Sequence, residues 1–136
     1  MTVLISILNA ASALESRVDV RLAVAGLSLP KLAALRVLVA ADGALPLGQL
    51  AGRLACVKSN VTQLVERLEA DGLAVRALDP TDRRSRLAAV TDAGRSAYEE
   101  GVRILRAAER DLFDVLTPEE LSELARLLRK LDPRCG

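Results

Sequence analysis

The chain has 136 residues, the size of one ordinary domain, of which 51% are hydrophobic and 27% charged, and this excludes a disordered chain. A net charge of +1 excludes a protein that coats nucleic acid indiscriminately, although a local cluster still acts on a phosphate within a Debye length of about 8–10 Å. The lack of histidine removes the commonest acid–base group and metal ligand, and two cysteines, Cys56 and Cys135, are too few for a disulfide framework, so a reducing cytoplasm is the expected location.

The opening segment MTVLISILNAASALES contains an apolar run, but no Lys or Arg precedes it and the run over 3–8 is short, so no signal peptide is expected. Residues 3–25 instead read as a helix, with Leu4, Ile7, Leu8, Ala11, Leu14 and Val18 at helical spacing and Gly26 as its end. Ser28 is a good N-cap for a second helix through Ala41, with Pro30 tolerated in the first turn. This apolar stretch carries Pro30, Lys31 and Arg36, which argues against a membrane span. Asp42-Gly43 breaks the chain, and a short helix is expected over 47–55.

A fourth helix is expected over 58–70, where Val61, Leu64, Val65 and Leu68 form one apolar stripe and Asp71-Gly72 gives the stop. Residues 73–78 and 86–90 read as strands, separated by a turn-rich segment over 79–85, hence a β-hairpin with a charged tip. Thr91 caps a long helix to about Val115, and Thr117-Pro118-Glu119-Glu120 is a capping box that opens a last helix to Leu131. The expected fold class is mainly α: a winged helix-turn-helix with helices flanking it at both ends. One domain is expected over 1–136, with the winged-helix lobe at about 44–92 and the flanking end segments at about 1–28 and 100–136.

Two constellations carry function. The polar N-terminal face of the fourth helix offers Lys58, Ser59 and Thr62 for phosphate or base contacts, Asn60 and Gln63 as amides that can pair with adenine, and Arg67 for a backbone phosphate; a solvated face explains this helix equally well. At the hairpin tip, Arg83, Arg84 and Arg86 crowd together, with Arg76 on the opposite strand and Asp79 and Asp82 alongside. Arginine suits a narrow minor groove, and a nearby Asp can hold a guanidinium in one orientation. The alternative is a hairpin stabilised by its own ion pairs, but three arginines on one turn exceed that need. Cys56, just before the fourth helix, is either a small apolar residue or an oxidant sensor. No nucleophile–base pair, phosphate loop or metal cluster is legible, so no enzyme, cofactor or metal is expected. Neither apolar terminal helix can bury its stripe on so short a chain, which points to a second copy.

The stretch VTQLVERLEADGLAVRALDPTDRRSRLAAVTDAGR, residues 61–95, resembles the core signature of the multiple-antibiotic-resistance regulator (MarR) family, and GLSLPKLAALRVL, LGQLAGRL and LTPEELSELARLLRKL fit the same pattern. The resemblance implies a homodimer with intertwined terminal helices, recognition helices in successive major grooves of a pseudo-palindromic operator, and wings in the flanking minor grooves. It assigns the minor-groove arginine to Arg84 and its orienting partner to Asp82, gives Arg83 a backbone or structural role, and places the recognition positions on Lys58, Ser59, Asn60, Thr62 and Gln63. It further implies repression relieved by a small-molecule effector. The alternatives are release from DNA by oxidation of Cys56, or a dimer module without DNA binding. The chain departs from the family pattern at Val57 and Pro46, which replace N-cap Ser and Thr, and at Gln63, which replaces a frequent Arg. The two lost caps would cost about 1 kcal/mol each unless other groups bond the free N–H groups.

Overall fold

The computed structural model describes residues 2–54 and 60–132. Its elements in chain order are α1 (Val3–Ala23), α2 (Leu29–Ala41), β1 (Leu45–Pro46), α3 (Leu47–Arg53), α4 (Val61–Ala70), β2 (Ala74–Asp79), β3 (Asp82–Val90), α5 (Asp92–Leu112) and α6 (Pro118–Leu131). Helix starts follow local capping chemistry. Thr2, Ser28, Thr91 and Thr117 each accept a backbone N–H three residues on, and at Thr117 the Glu120 carboxylate closes the reciprocal box. The start of α2 has a second acceptor, since Leu29 N–H donates to Asp19 Oδ1 of α1 at 2.7 Å.

The core centres on α2, which buries Leu32, Ala34, Leu35, Val37 and Leu38. Leu22 of α1, Leu50 of α3, and Leu64, Val65 and Leu68 of α4 close around it. The stripe expected on α4 is thus the buried face, with Val61 half-buried at its end. Helix α5 approaches closely where it has no side chain. A methyl group at Gly94 would lie 2.1 Å from the Leu73 carbonyl oxygen, and one at Gly101 would lie 2.6 Å from Leu32 Cδ1. Only glycine allows α5 to pack this close.

The sheet has the order β1-β3-β2, antiparallel throughout. The strand β1 is not expected from the sequence. It is two residues long and exists through pairing of Leu45 with Ala88 and Pro46 with Leu87, and Pro46, lacking an N–H, suits a sheet edge. Pro46 is also the residue before α3, and it caps that helix without any side-chain bond, as the departure from the family pattern implied. Helix α5 ends at Leu112 rather than near Val115, with Phe113 as its C-cap.

The two terminal helices differ from the rest. Helix α1 buries only Val18 and Leu22, and of the stripe expected over its first half Leu4 and Leu8 are exposed. Helix α6 buries nothing and exposes Leu121, Leu124, Leu127, Leu128 and Leu131. Among the described residues no helix is long and apolar enough to cross a membrane. Helices α3 and α4 followed by the β2–β3 hairpin make a winged helix-turn-helix.

Candidate nucleic-acid interface

Helix α4 turns its apolar stripe inward, so Thr62, Gln63, Glu66 and Arg67 are exposed on the other side. The helix begins at Val61, later than expected, because Asn60 is its N-cap: the Asn60 Oδ1 accepts the Gln63 N–H at 3.2 Å. That bond gives Asn60 a structural role beside the expected one: one lone pair of its oxygen holds the helix start, and the second lone pair and the amide N–H groups are those that pairing with adenine would use. The Gln63 side chain remains open to contact. Lys58 and Ser59, also expected on this face, lie outside the described residues, as do Cys56, Val57 and Cys135.

The cleft between Arg67 and Gln63 of α4 and Lys31 of α2 with its N-cap Ser28 leaves Arg67 exposed at one edge. Lys31 is held within the fold, its Nζ 2.9 Å from Asp71 and 3.3 Å from the Gly26 carbonyl.

The hairpin differs most from expectation. Arg83 and Arg84 were expected in a long loop; they lie within β3, which starts at Asp82. The register explains the arrangement. Leu78 pairs with Arg86, yet the next residue, Asp79, pairs with Asp82. Arg83, Arg84 and Ser85 have no opposite number and form a bulge that throws them off the ladder. The tip is tightened by Asp79, whose carboxylate accepts both the Thr81 N–H at 2.9 Å and the Thr81 hydroxyl at 2.7 Å. These bonds, the backbone N–H first, hold the Asp79 carboxyl below its ordinary pKa.

Asp82 acts on Arg84 differently from the expectation. Its carboxylate accepts the Arg84 backbone N–H at 2.9 Å, so it sets the chain path and not the guanidinium. Among the described residues the guanidinium groups of Arg83 and Arg84 have no acidic partner, and both residues are exposed. Arg86 turns back on the bulge, donating to the carbonyls of Arg83 at 3.4 Å and Ser85 at 3.5 Å. It therefore braces the wing. Arg76 faces α4, where Glu66 and Glu69 bind it. That contact was not legible in the sequence, because the pair spans a helix end, a turn and a strand start, and no local spacing rule covers such a junction.

The lobe thus carries an exposed polar helix edge and, at the wing tip near the start of α3, a bulge whose two arginines have no acidic partner among the described residues. It suits a polyanion with grooves. The sequence profile of the MarR family matches residues 25–85. An uncharacterized helix-turn-helix transcriptional regulator of Bacillus subtilis (strain 168), YkoM, is 38% identical over 89 residues, or 62% of this chain and 54% of that protein. The chain spans between about half and three fifths of the curated relatives it matches. A probable transcriptional regulator from Pseudomonas aeruginosa is 30% identical with a TM-score of 0.74, covering 90% of this chain and 93% of that one. Bordetella bronchiseptica BpsR, whose DNA binding is regulated by 6-hydroxynicotinic acid, is 26% identical with a TM-score of 0.81, covering 96% and 92%.

Proposed function

Because the chain belongs to the MarR family of transcriptional regulators, we propose that it acts in the cytoplasm as a homodimer that grips a pseudo-palindromic operator and represses by occupying a promoter. The observation that carries this reading is the three-residue bulge at the wing tip, which presents Arg83 and Arg84 without an acidic partner among the described residues. An unpaired guanidinium on a narrow projection gains most from a minor groove, where the phosphate potential is concentrated. In this reading Thr62 and Gln63 face the major groove and Arg67 meets the backbone. Lys58 and Ser59 are proposed to extend this contact.

The lobe over about 44–92 binds DNA in this reading, and the end segments join the two copies. The exposed leucines of α6 and the exposed outer half of α1 support a second copy as their cover. A small-molecule effector that prefers one spacing of the two recognition helices would regulate binding, because half-sites lie about one DNA turn apart and a small change in spacing loses one of them. The dependence of BpsR on 6-hydroxynicotinic acid is what favours a ligand-responsive regulator.

The test is a titration of labelled duplex from the region upstream of the coding sequence, against an unrelated duplex, at several salt concentrations, with the mass of the free protein measured by light scattering. The expected result is a dimer that prefers the upstream duplex and whose affinity falls steeply with salt. A stable monomer that treats both duplexes alike would remove the reading.

A further inference from the structure

We infer that Arg76, gripped by Glu66 and Glu69, is a positioning residue that sets the angle of the wing on α4 and so decides how well the wing-tip arginines reach DNA. This rests on the DNA-binding reading above. The physical need for such a tether is visible in the burial pattern. The hairpin is anchored at Ala74 and Ala88, which are both buried, but no residue from 75 to 87 is. Strand β1 supports β3 at Leu87 and Ala88; beyond them the β2–β3 ribbon is two-stranded, so its direction is set at its root, where Arg76 pairs with Ala88.

The contacts of Arg76 supply that hold. Its backbone N–H donates to Glu69 Oε2 at 3.0 Å, while its Nε and Nη2 donate to Glu69 Oε1 at 3.3 and 3.2 Å. Nη1 reaches Glu66 Oε1 at 3.5 Å. One carboxylate thus holds the strand by its main chain and its side chain together, which fixes direction as well as distance. The bonds from Arg76, the backbone N–H first, keep the Glu69 carboxyl below its ordinary pKa, so it stays an anion at neutral pH.

Position adds a second reason. Thr62, Glu66 and Glu69 follow one another at helical spacing, so the two glutamates continue the stripe of α4 that begins with a residue proposed to face DNA. Arg86, by contrast, donates to carbonyls of the hairpin itself, and among the described residues it has no bond to the helix.

The test is a double-mutant cycle. Arg76→Ala is expected to weaken specific binding about tenfold, and the double variant Arg76→Ala with Arg84→Ala should lose no more than Arg84→Ala alone. Additive losses would overturn the positioning role. Hydrogen exchange of the free protein gives a readout without DNA. In Arg76→Ala the wing amides over 75–79 and 86–88 should exchange faster, while the interiors of α2 and α4 keep their protection. Unchanged wing exchange would overturn the tether whatever the duplex does. If wild-type protein binds no duplex, the functional half of the inference falls with the DNA reading, and accelerated wing exchange would then support the tether alone. If Arg76→Ala does not fold, Glu69→Gln undergoes the same measurements and should show the same pattern at smaller size.

Discussion

The helix-turn-helix lobe and the terminal helices solve the burial problem in opposite ways. In the lobe, α2 is wrapped by α3, α4 and the sheet, and Leu35, Leu38, Leu50 and Val65 have no exposed surface. In α6 the leucines form one sharp apolar face, yet Leu124 is 37% exposed and Leu131 69%. A marked apolar face therefore does not ensure burial, whereas α2, apolar on nearly every side, is enclosed. The lobe encloses its own apolar side chains, whereas α6 and much of the outer half of α1 leave theirs exposed.

This contrast can be broken or sharpened by measurement. Leu35→Ala should destabilise the lobe by about 2–5 kcal/mol, read from urea unfolding at fixed protein concentration, because it leaves a cavity that the surrounding helices cannot fill. The pair Leu124→Glu and Leu128→Glu should leave the lobe's secondary structure intact by circular dichroism, yet shift the protein to monomers in light scattering. Monomers that also lose helix content throughout would show that lobe and terminal helices are one cooperative unit. Asn60→Ala should cost about 1 kcal/mol, through the lost cap of α4, with little change in the unfolding m-value. A neutral result would mean that another group caps α4.

The smallest effect concerns pH. Glu69 has a folded pKa below its ordinary value of 4.5, so its contribution is complete above about that pH and is lost as pH falls through the depressed folded value. Wing-amide exchange, corrected for intrinsic pH dependence, should be flat from neutrality to about pH 5. It should accelerate under more acidic conditions, and Arg76→Ala should abolish that step. A step near neutrality would point to a different group.

Much of the site is legible in residue order, but unevenly. The apolar stripe of Leu64, Val65 and Leu68 reveals which side of α4 faces inward, and by elimination places Thr62, Gln63 and Arg67 outside. The arginines of the wing are likewise plain in composition. Their roles are not. Arg83 and Arg84 project because Asp79 pairs with Asp82 across the tip, while Arg86 and Arg76 turn to internal partners. Nothing in the run of charges separates two outward arginines from two inward ones, since the choice depends on strand register and on acidic groups from another element.

The sequence by itself determined the helix starts at Ser28, Thr91 and Thr117, the break at Asp71-Gly72 and the mainly helical class, because a cap or a turn is completed within three or four residues. Tertiary structure alone decided that Leu45 and Pro46 form a strand, that Gly101 lets α5 approach Leu32, and that Glu69 reaches Arg76. Each of these joins residues whose meeting costs chain entropy and is stabilised only once the core around α2 has brought them together.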